Sequence, residues 1–115
     1  AIANGGSVYE PTLLGCGKLD KETELLSAST AQKISEMMNY NVQNAYGSWV
    51  FPGLNVSAKT GTAEVGDGTS HAWMTGFLND PEHPYAFVVI LEHAGGGLAN
   101  AGPVANAVLQ AAVAG

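Results

Sequence analysis

Apolar and polar positions along this 115-residue chain follow two rhythms. Ile34, Met37, Met38, Val42 and Ala45 recur three or four apart, the repeat of one helical face. Ser29 and Gln32 stand just ahead of them as a Ser-x-x-Gln capping box, so the spacing predicts a helix over about 30–44. Gly47, Pro52 and Gly53 end it in a loop. The pattern then changes. Asn55 to Glu64, His71 to Leu78 and Tyr85 to His93 lack helical spacing and are rich in β-branched or aromatic residues, so three strands are expected. Gly66-Asp67-Gly68 and the run Asn79 to Pro84 are the turns between them. Turns this short predict an antiparallel meander. Ala86 to Leu91 is apolar at every position, which predicts a central strand covered on both faces. Gly95-Gly96-Gly97 ends it, and Pro103 suits the first turn of a closing helix that runs to about Ala114. That helix carries no charge and is expected to pack on the sheet. At the other end, Ala1 to Asn4 reads as the last turn of a helix stopped by Gly5-Gly6. Ser7 to Asp20, with Pro11, Gly15 and Gly17, reads as a surface connection. The expected fold class is α+β, an antiparallel sheet with packed helices.

Composition narrows the function. A hydrophobic fraction of 46% with 12% charged residues is that of a globular chain of one domain. The net charge is −6, with four lysines and no arginine. Phosphate backbones and anionic membrane surfaces both call for a basic face, so neither nucleic acid nor such a membrane is an expected partner. Cys16 is alone, which rules out an internal disulfide, and reads as a loop or packing residue. No signal peptide or apolar run of about 20 residues is present. His71, His83 and His93 lack the short spacing of zinc motifs, so no metal or other cofactor is expected.

Lys59-Thr60-Gly61-Thr62 carries the chemistry. On a strand, Lys59 points one way and Thr60 and Thr62 the other. Gly61 lets a ligand backbone lie close. On an edge strand, free N–H and C=O groups would receive an extended peptide beside a positive charge. Trp73 and Phe77 read as packing residues, Gly76 as a seat for a helix on the sheet, and Glu64 as a solvated strand-end carboxylate.

The Lys-Thr-Gly run resembles one of three signatures of penicillin-binding proteins and serine β-lactamases, the others being Ser-x-x-Lys and Ser-x-Asn or Ser-Asp-Asn. Ala1 to Gly6 with Pro11, His71-Ala72-Trp73-Met74-Thr75-Gly76-Phe77, Tyr85 to Ala94, and Gly102-Pro103-Val104 with the apolar tail resemble the family's flanking segments in order. The likeness is greatest to the monofunctional, class B transpeptidases. It implies the C-terminal part of a penicillin-binding protein/serine β-lactamase fold, whose sheet has five strands. The other two signatures are absent: none of the serines at 7, 27, 29, 35, 48, 57 and 70 has Lys three residues on or Asn two residues on. Both lie N-terminal to Lys-Thr-Gly in the family. Residues 1–115 are therefore expected to be the C-terminal portion of one transpeptidase domain, inactive alone for want of the nucleophile.

The resemblance also implies roles and partners. The reaction is serine acyl transfer between peptidoglycan stem peptides, with β-lactams as mimics of the acyl donor. Lys59 supplies positive charge at the site. Thr60, Gly61 and Thr62 bind the donor, the hydroxyls of Thr60 and Thr62 meeting its carboxylate. The N–H of Thr62 supplies half an oxyanion hole. The missing N-terminal half is an expected partner. Without it the edge beyond Tyr85 to His93 is bare, so the chain is expected to order beside that half or to pair strand to strand with a second copy. The expected location is the extracytoplasmic face of a bacterial membrane, with the parent anchored upstream and this chain soluble. A β-lactam sensor domain and a serine β-lactamase are the rival readings; a small adhesion or scaffold domain with a chance motif is a non-enzymatic third.

Overall fold

The computed structural model describes residues 1–14 and 22–115 and divides into two compact units, 1–36 and 37–115. Cys16 lies outside the described residues.

In the first unit, Ile2–Asn4 forms one tight helical turn. Gly5, at φ 65°, closes it by donating its N–H to the Ile2 carbonyl, as the sequence predicts. The expected surface connection is instead partly strand. β1 (Ser7–Tyr9) pairs antiparallel with β2 (Glu22–Glu24), in the register Ser7↔Glu24, Val8↔Thr23 and Tyr9↔Glu22. Three-residue strands with polar partners leave no alternation long enough to read. Helix α1 (Ala28–Tyr40) starts earlier than expected. Ser27 is its cap: its carbonyl accepts the Ala31 N–H at 3.0 Å and its hydroxyl the Thr30 N–H at 3.2 Å. Such a cap contributes roughly 1 kcal/mol. The Ser29–Gln32 box does not form, because Gln32 donates its side-chain amide to Glu36 one turn on, at 2.9 Å.

In the second unit, the end of α1 widens into a π-helical segment, Asn41–Gly47. Gly47, at φ 97°, turns the chain out of it. β3 (Val56–Val65), β4 (Thr69–Leu78) and β5 (Ala86–Leu91) then form the expected antiparallel meander, in the order β3-β4-β5. The register runs from Val56↔Leu78 to Val65↔Thr69, and from Ala72↔Leu91 to Phe77↔Ala86.

α2 (Gly97–Val113) packs on the face formed by Val56, Ala58, Ala72, Met74 and Leu78, and its own Ala101, Ala105 and Leu109 are buried there. The helix begins six residues before Pro103, which sits in its interior rather than its first turn. Of the three glycines expected to break the chain, only Gly95 has left-handed backbone; Gly96 caps α2 and Gly97 is its first residue.

The bare edge expected beyond β5 is present, but these residues do not supply the cover expected on both of its faces. β5 is an edge strand with one covered face: Phe87, Val89 and Leu91 lie against the core, while Val88 and Ile90 are 64% and 43% exposed. Its apolar run thus exceeds what these residues themselves cover. Phe77 is buried as expected, but Trp73 lies on the open face, 37% exposed. Gly76 seats no helix. A Cβ there would overlap the Ser57 carbonyl oxygen and stand 2.9 Å from Ala58 Cα, so its missing side chain lets β3 and β4 meet. The glycine that seats the helix is Gly97, where a Cβ would lie 2.5 Å from the Trp73 carbonyl oxygen and 2.7 Å from that of Gly61.

At the turn after β3, the Asp67 carboxylate accepts the Thr69 hydroxyl at 2.6 Å and the Thr69 N–H at 2.9 Å. The hydroxyl bond first, and then the N–H, hold Asp67 below its ordinary value of 3.8. A carboxyl depressed by folding adds stability that is present above its unfolded value and is lost as pH falls through the folded one. Amide exchange at Thr69 is therefore expected to speed up, beyond the intrinsic pH effect, on acidification below about pH 3.8, and to lose that extra pH dependence in Asp67→Asn.

Candidate active site

Lys59, Thr60, Gly61 and Thr62 lie mid-strand on β3, which has β4 on one side and no strand on the other. Lys59 and Gly61 share the open face with Thr75 and Trp73, their partners across the ladder; Thr60 and Thr62 share the α2 face with Met74 and Ala72. The alternation read from the sequence is thus present.

Lys59 is exposed, and its ammonium donates to the Thr60 carbonyl at 2.7 Å. Among the described residues it forms no ion pair, with Glu64 or any other carboxylate. A Cβ on Gly61 would meet Trp73 Cβ at 3.4 Å, an ordinary contact. The sheet itself therefore does not require glycine there, and the room it leaves opens on the unoccupied face beside Lys59.

Three residues missed in the sequence complete the edge. The Asn39 side-chain amide donates to the Val56 carbonyl at 2.9 Å, and that of Asn41 to the Ala58 carbonyl at 3.2 Å. The Tyr46 hydroxyl accepts the Thr60 N–H at 2.8 Å and lies 3.0 Å from Thr60 Oγ1. All three come from the end of α1 and the π-helical segment, which runs beside β3. A wide helical turn carrying a site side chain is a recurrent device. The signal for them was weak, because a single Asn or Tyr on a helix has many other uses.

These bonds fix which backbone groups of β3 face outward. The carbonyls of Val56 and Ala58 and the N–H of Thr60 meet side chains from outside the ladder, so the even-numbered residues direct their backbone groups away from β4. Thr62 continues the alternation and is exposed. Its outward N–H and C=O, and its hydroxyl, meet no partner among the described residues. The edge is thus occupied at the carbonyls of Val56, Ala58 and Thr60 and at the Thr60 N–H, and open at Thr62. Burial acts to raise the Tyr46 phenol, but the Thr60 hydroxyl and N–H, the Asn41 amide and the Lys59 charge outweigh it and hold the phenol below its ordinary value.

Other features stand apart from this edge. His71 and His93 meet edge to face, 5.0 Å between ring centres, and His83 pairs with Asp80 at 2.7 Å. No group of three metal-ligating side chains occurs among the described residues. A cleft of about 430 Å³ lined by Trp49, Val50, Leu98, Ala99, Pro103 and Asn106 includes no titratable side chain and none of residues 59–62. The Lys59 ammonium and the open Thr62 backbone lie on the strand edge, not in this cleft.

Comparison with known proteins gives one family. The model of the penicillin binding protein transpeptidase domain matches residues 1–110. The peptidoglycan D,D-transpeptidase PbpA of Mycobacterium tuberculosis is 29% identical over 99% of this chain, which spans 27% of that relative. Among solved structures, penicillin-binding protein A from M. tuberculosis, an imipenem acyl-enzyme complex, superposes with a TM-score of 0.77 at 30% identity, covering 97% of this chain and 28% of that one. The D,D-transpeptidase domain of a peptidoglycan glycosyltransferase from Eggerthella lenta gives 0.79 at 26% identity, covering 97% and 29%. By the match along nearly all its residues and the agreement in fold, this chain belongs to the penicillin-binding protein transpeptidase domain family.

Proposed function

We propose that this chain is the acyl-donor-binding portion of a serine D,D-transpeptidase domain, and that the nucleophile comes from polypeptide outside these 115 residues. One observation carries the reading. β3 has an open backbone position at Thr62, beside an ammonium with no ion-pair partner among the described residues. An extended peptide adds to such an edge through its main chain, and the Lys59 charge favours a terminal carboxylate. The donor is a peptidoglycan stem peptide ending in D-alanyl-D-alanine, or a β-lactam in its place. A serine oxygen attacks the penultimate carbonyl, the C–N bond breaks, and the terminal D-alanine leaves with the proton. An amine of a neighbouring stem then takes the acyl group and frees the serine. While the carbonyl oxygen is negative, the Thr62 N–H donates to it, a role worth roughly 3–4 kcal/mol in comparable sites. The hydroxyls of Thr60 and Thr62 hold the carboxylate.

The serine-bearing half docks on the exposed face of Trp73, Val88 and Ile90 and adds strands at the bare edge of β5. Where that half is absent, the same edge pairs with a second copy. The site works on the extracytoplasmic side of a bacterial membrane, the parent being anchored elsewhere; no helix among the described residues is long and apolar enough to cross one.

A fluorescent penicillin tests the proposal. The purified chain alone is expected to take no covalent label. The longer protein that joins it to a Ser-x-x-Lys segment is expected to be labelled at that serine. Label retained by the chain alone, or none on the longer protein, would overturn the reading.

A further inference from the structure

We infer that Tyr46 is a positioning residue that closes the β3 edge at Thr60 and thereby sets the register in which a donor main chain binds. The inference rests on the proposed reading of this edge as the donor site. A strand edge repeats every two residues, about 7 Å apart, so identical outward groups at Ala58, Thr60 and Thr62 would offer an extended ligand several equivalent rungs. Here the rungs differ. The Ala58 carbonyl is taken by Asn41, the Thr60 N–H by Tyr46 and the Thr60 carbonyl by Lys59, while Thr62 is open. A ligand backbone that slid one rung back would have to displace the phenol, which also holds Thr60 Oγ1. Tyr46 thus acts as an end stop. It favours a ligand whose main chain ends beside Thr62, and it disfavours an internal stretch of peptide running on towards Val56.

Tyr46 is suited to this by its origin outside the sheet. It projects from the π-helical segment, whose end is fixed by Gly47 in left-handed backbone and by Val50 and Phe51, buried in the core just beyond. Its ring is half-buried, so the hydroxyl is held by packing as well as by its bonds. Removing the oxygen alone, in Tyr46→Phe, keeps the ring and exposes the Thr60 N–H.

The expected signature is a second, unproductive register. In Tyr46→Phe, the Thr60 amide exchanges with solvent roughly five- to tenfold faster, the weight of one net hydrogen bond, while the Gly61 amide, which faces β4, is unchanged. In the longer serine-bearing protein, acylation by penicillin measured to saturation shows the rate constant and the half-saturation concentration both lowered by a similar factor, roughly threefold to tenfold. Their ratio stays close to that of the unaltered protein, because unproductive binding affects both alike. Loss of ring packing alone would not produce that pairing. Equal Thr60 exchange in the two proteins, or acylation constants that are unchanged or fall in ratio, would overturn the inference while leaving the transpeptidase reading in place. Failure of both proteins to acylate would sink the transpeptidase reading instead, and the exchange rates would still decide whether Tyr46 closes the edge.

Discussion

Replacing Lys59 by alanine in the longer serine-bearing protein is expected to slow acylation by a penicillin roughly 10²–10³-fold, the range for loss of one preorganised charge-stabilising group, with almost no change in melting temperature. The second half of that expectation comes from position. Lys59 is exposed, forms no ion pair among the described residues, and bonds only the carbonyl of its neighbour, so little of the fold depends on it. The first half comes from what the ammonium would face in the proposed site once a donor is bound: a carboxylate at one end and a developing oxyanion at the other. With the proposed companion half in place both would be excluded from water, where charge interactions strengthen. Lys59→Arg is expected to recover part of the rate, since it restores the charge in a different shape. Stopped-flow acylation gives the rates and thermal unfolding the control. A variant as fast as the unaltered protein would remove Lys59 from the proposed site.

The second large effect concerns stability. Gly76→Ala is expected to destabilise the chain by about 3 kcal/mol or more, the upper range for overpacking a core. The added methyl overlaps the Ser57 carbonyl oxygen and presses on Ala58, both on the neighbouring strand rather than on a side chain that could swing away. Ser57 and Ala58 are completely buried, so the strands cannot part without opening the core above them. Gly66→Ala is the matched control: it has open space around it and no left-handed backbone, and is expected to be near neutral. Urea denaturation of the two variants reads the difference, and equal midpoints would refute the packing argument. Because Ala58 and Gly76 face each other one rung from Lys59↔Thr75, a variant that still folds is also expected to disturb the site.

The parts of this molecule that could be read from the sequence are those in which one local pattern dominates. The three strands, their turns and the opposed directions of Lys59 and Thr60 all follow from a period of two and from Gly66, Asp67 and Gly68. The parts that could not be read depend on neighbours distant in sequence. β1 needed Glu22–Glu24 to become a strand. Ser27 displaced Ser29 as a cap because Glu36 drew Gln32 away. Gly97 looked like a breaker, yet it begins a helix because its missing side chain fits over two carbonyls. The motif on β3 was visible, but Asn39, Asn41 and Tyr46 were not, since nothing local marks a side chain that will reach a strand 14 to 17 residues further on. β5 was read in part: its bare edge was expected, its single covered face was not. Its composition suits two covered faces, and these residues cover one.

Every rung of the three-stranded sheet joins strands that are consecutive in the chain, and such near-neighbour pairings assemble quickly. A strand reaching the vacant side of Ala86–Leu91 from far upstream has no such advantage. During synthesis it would leave the ribosome long before its mate exists, since translation proceeds from the other end. In a protein built as proposed, the newborn upstream half would wait exposed to self-association until Ala86–Leu91 is made, and the meander described here would then be the template on which it completes its fold.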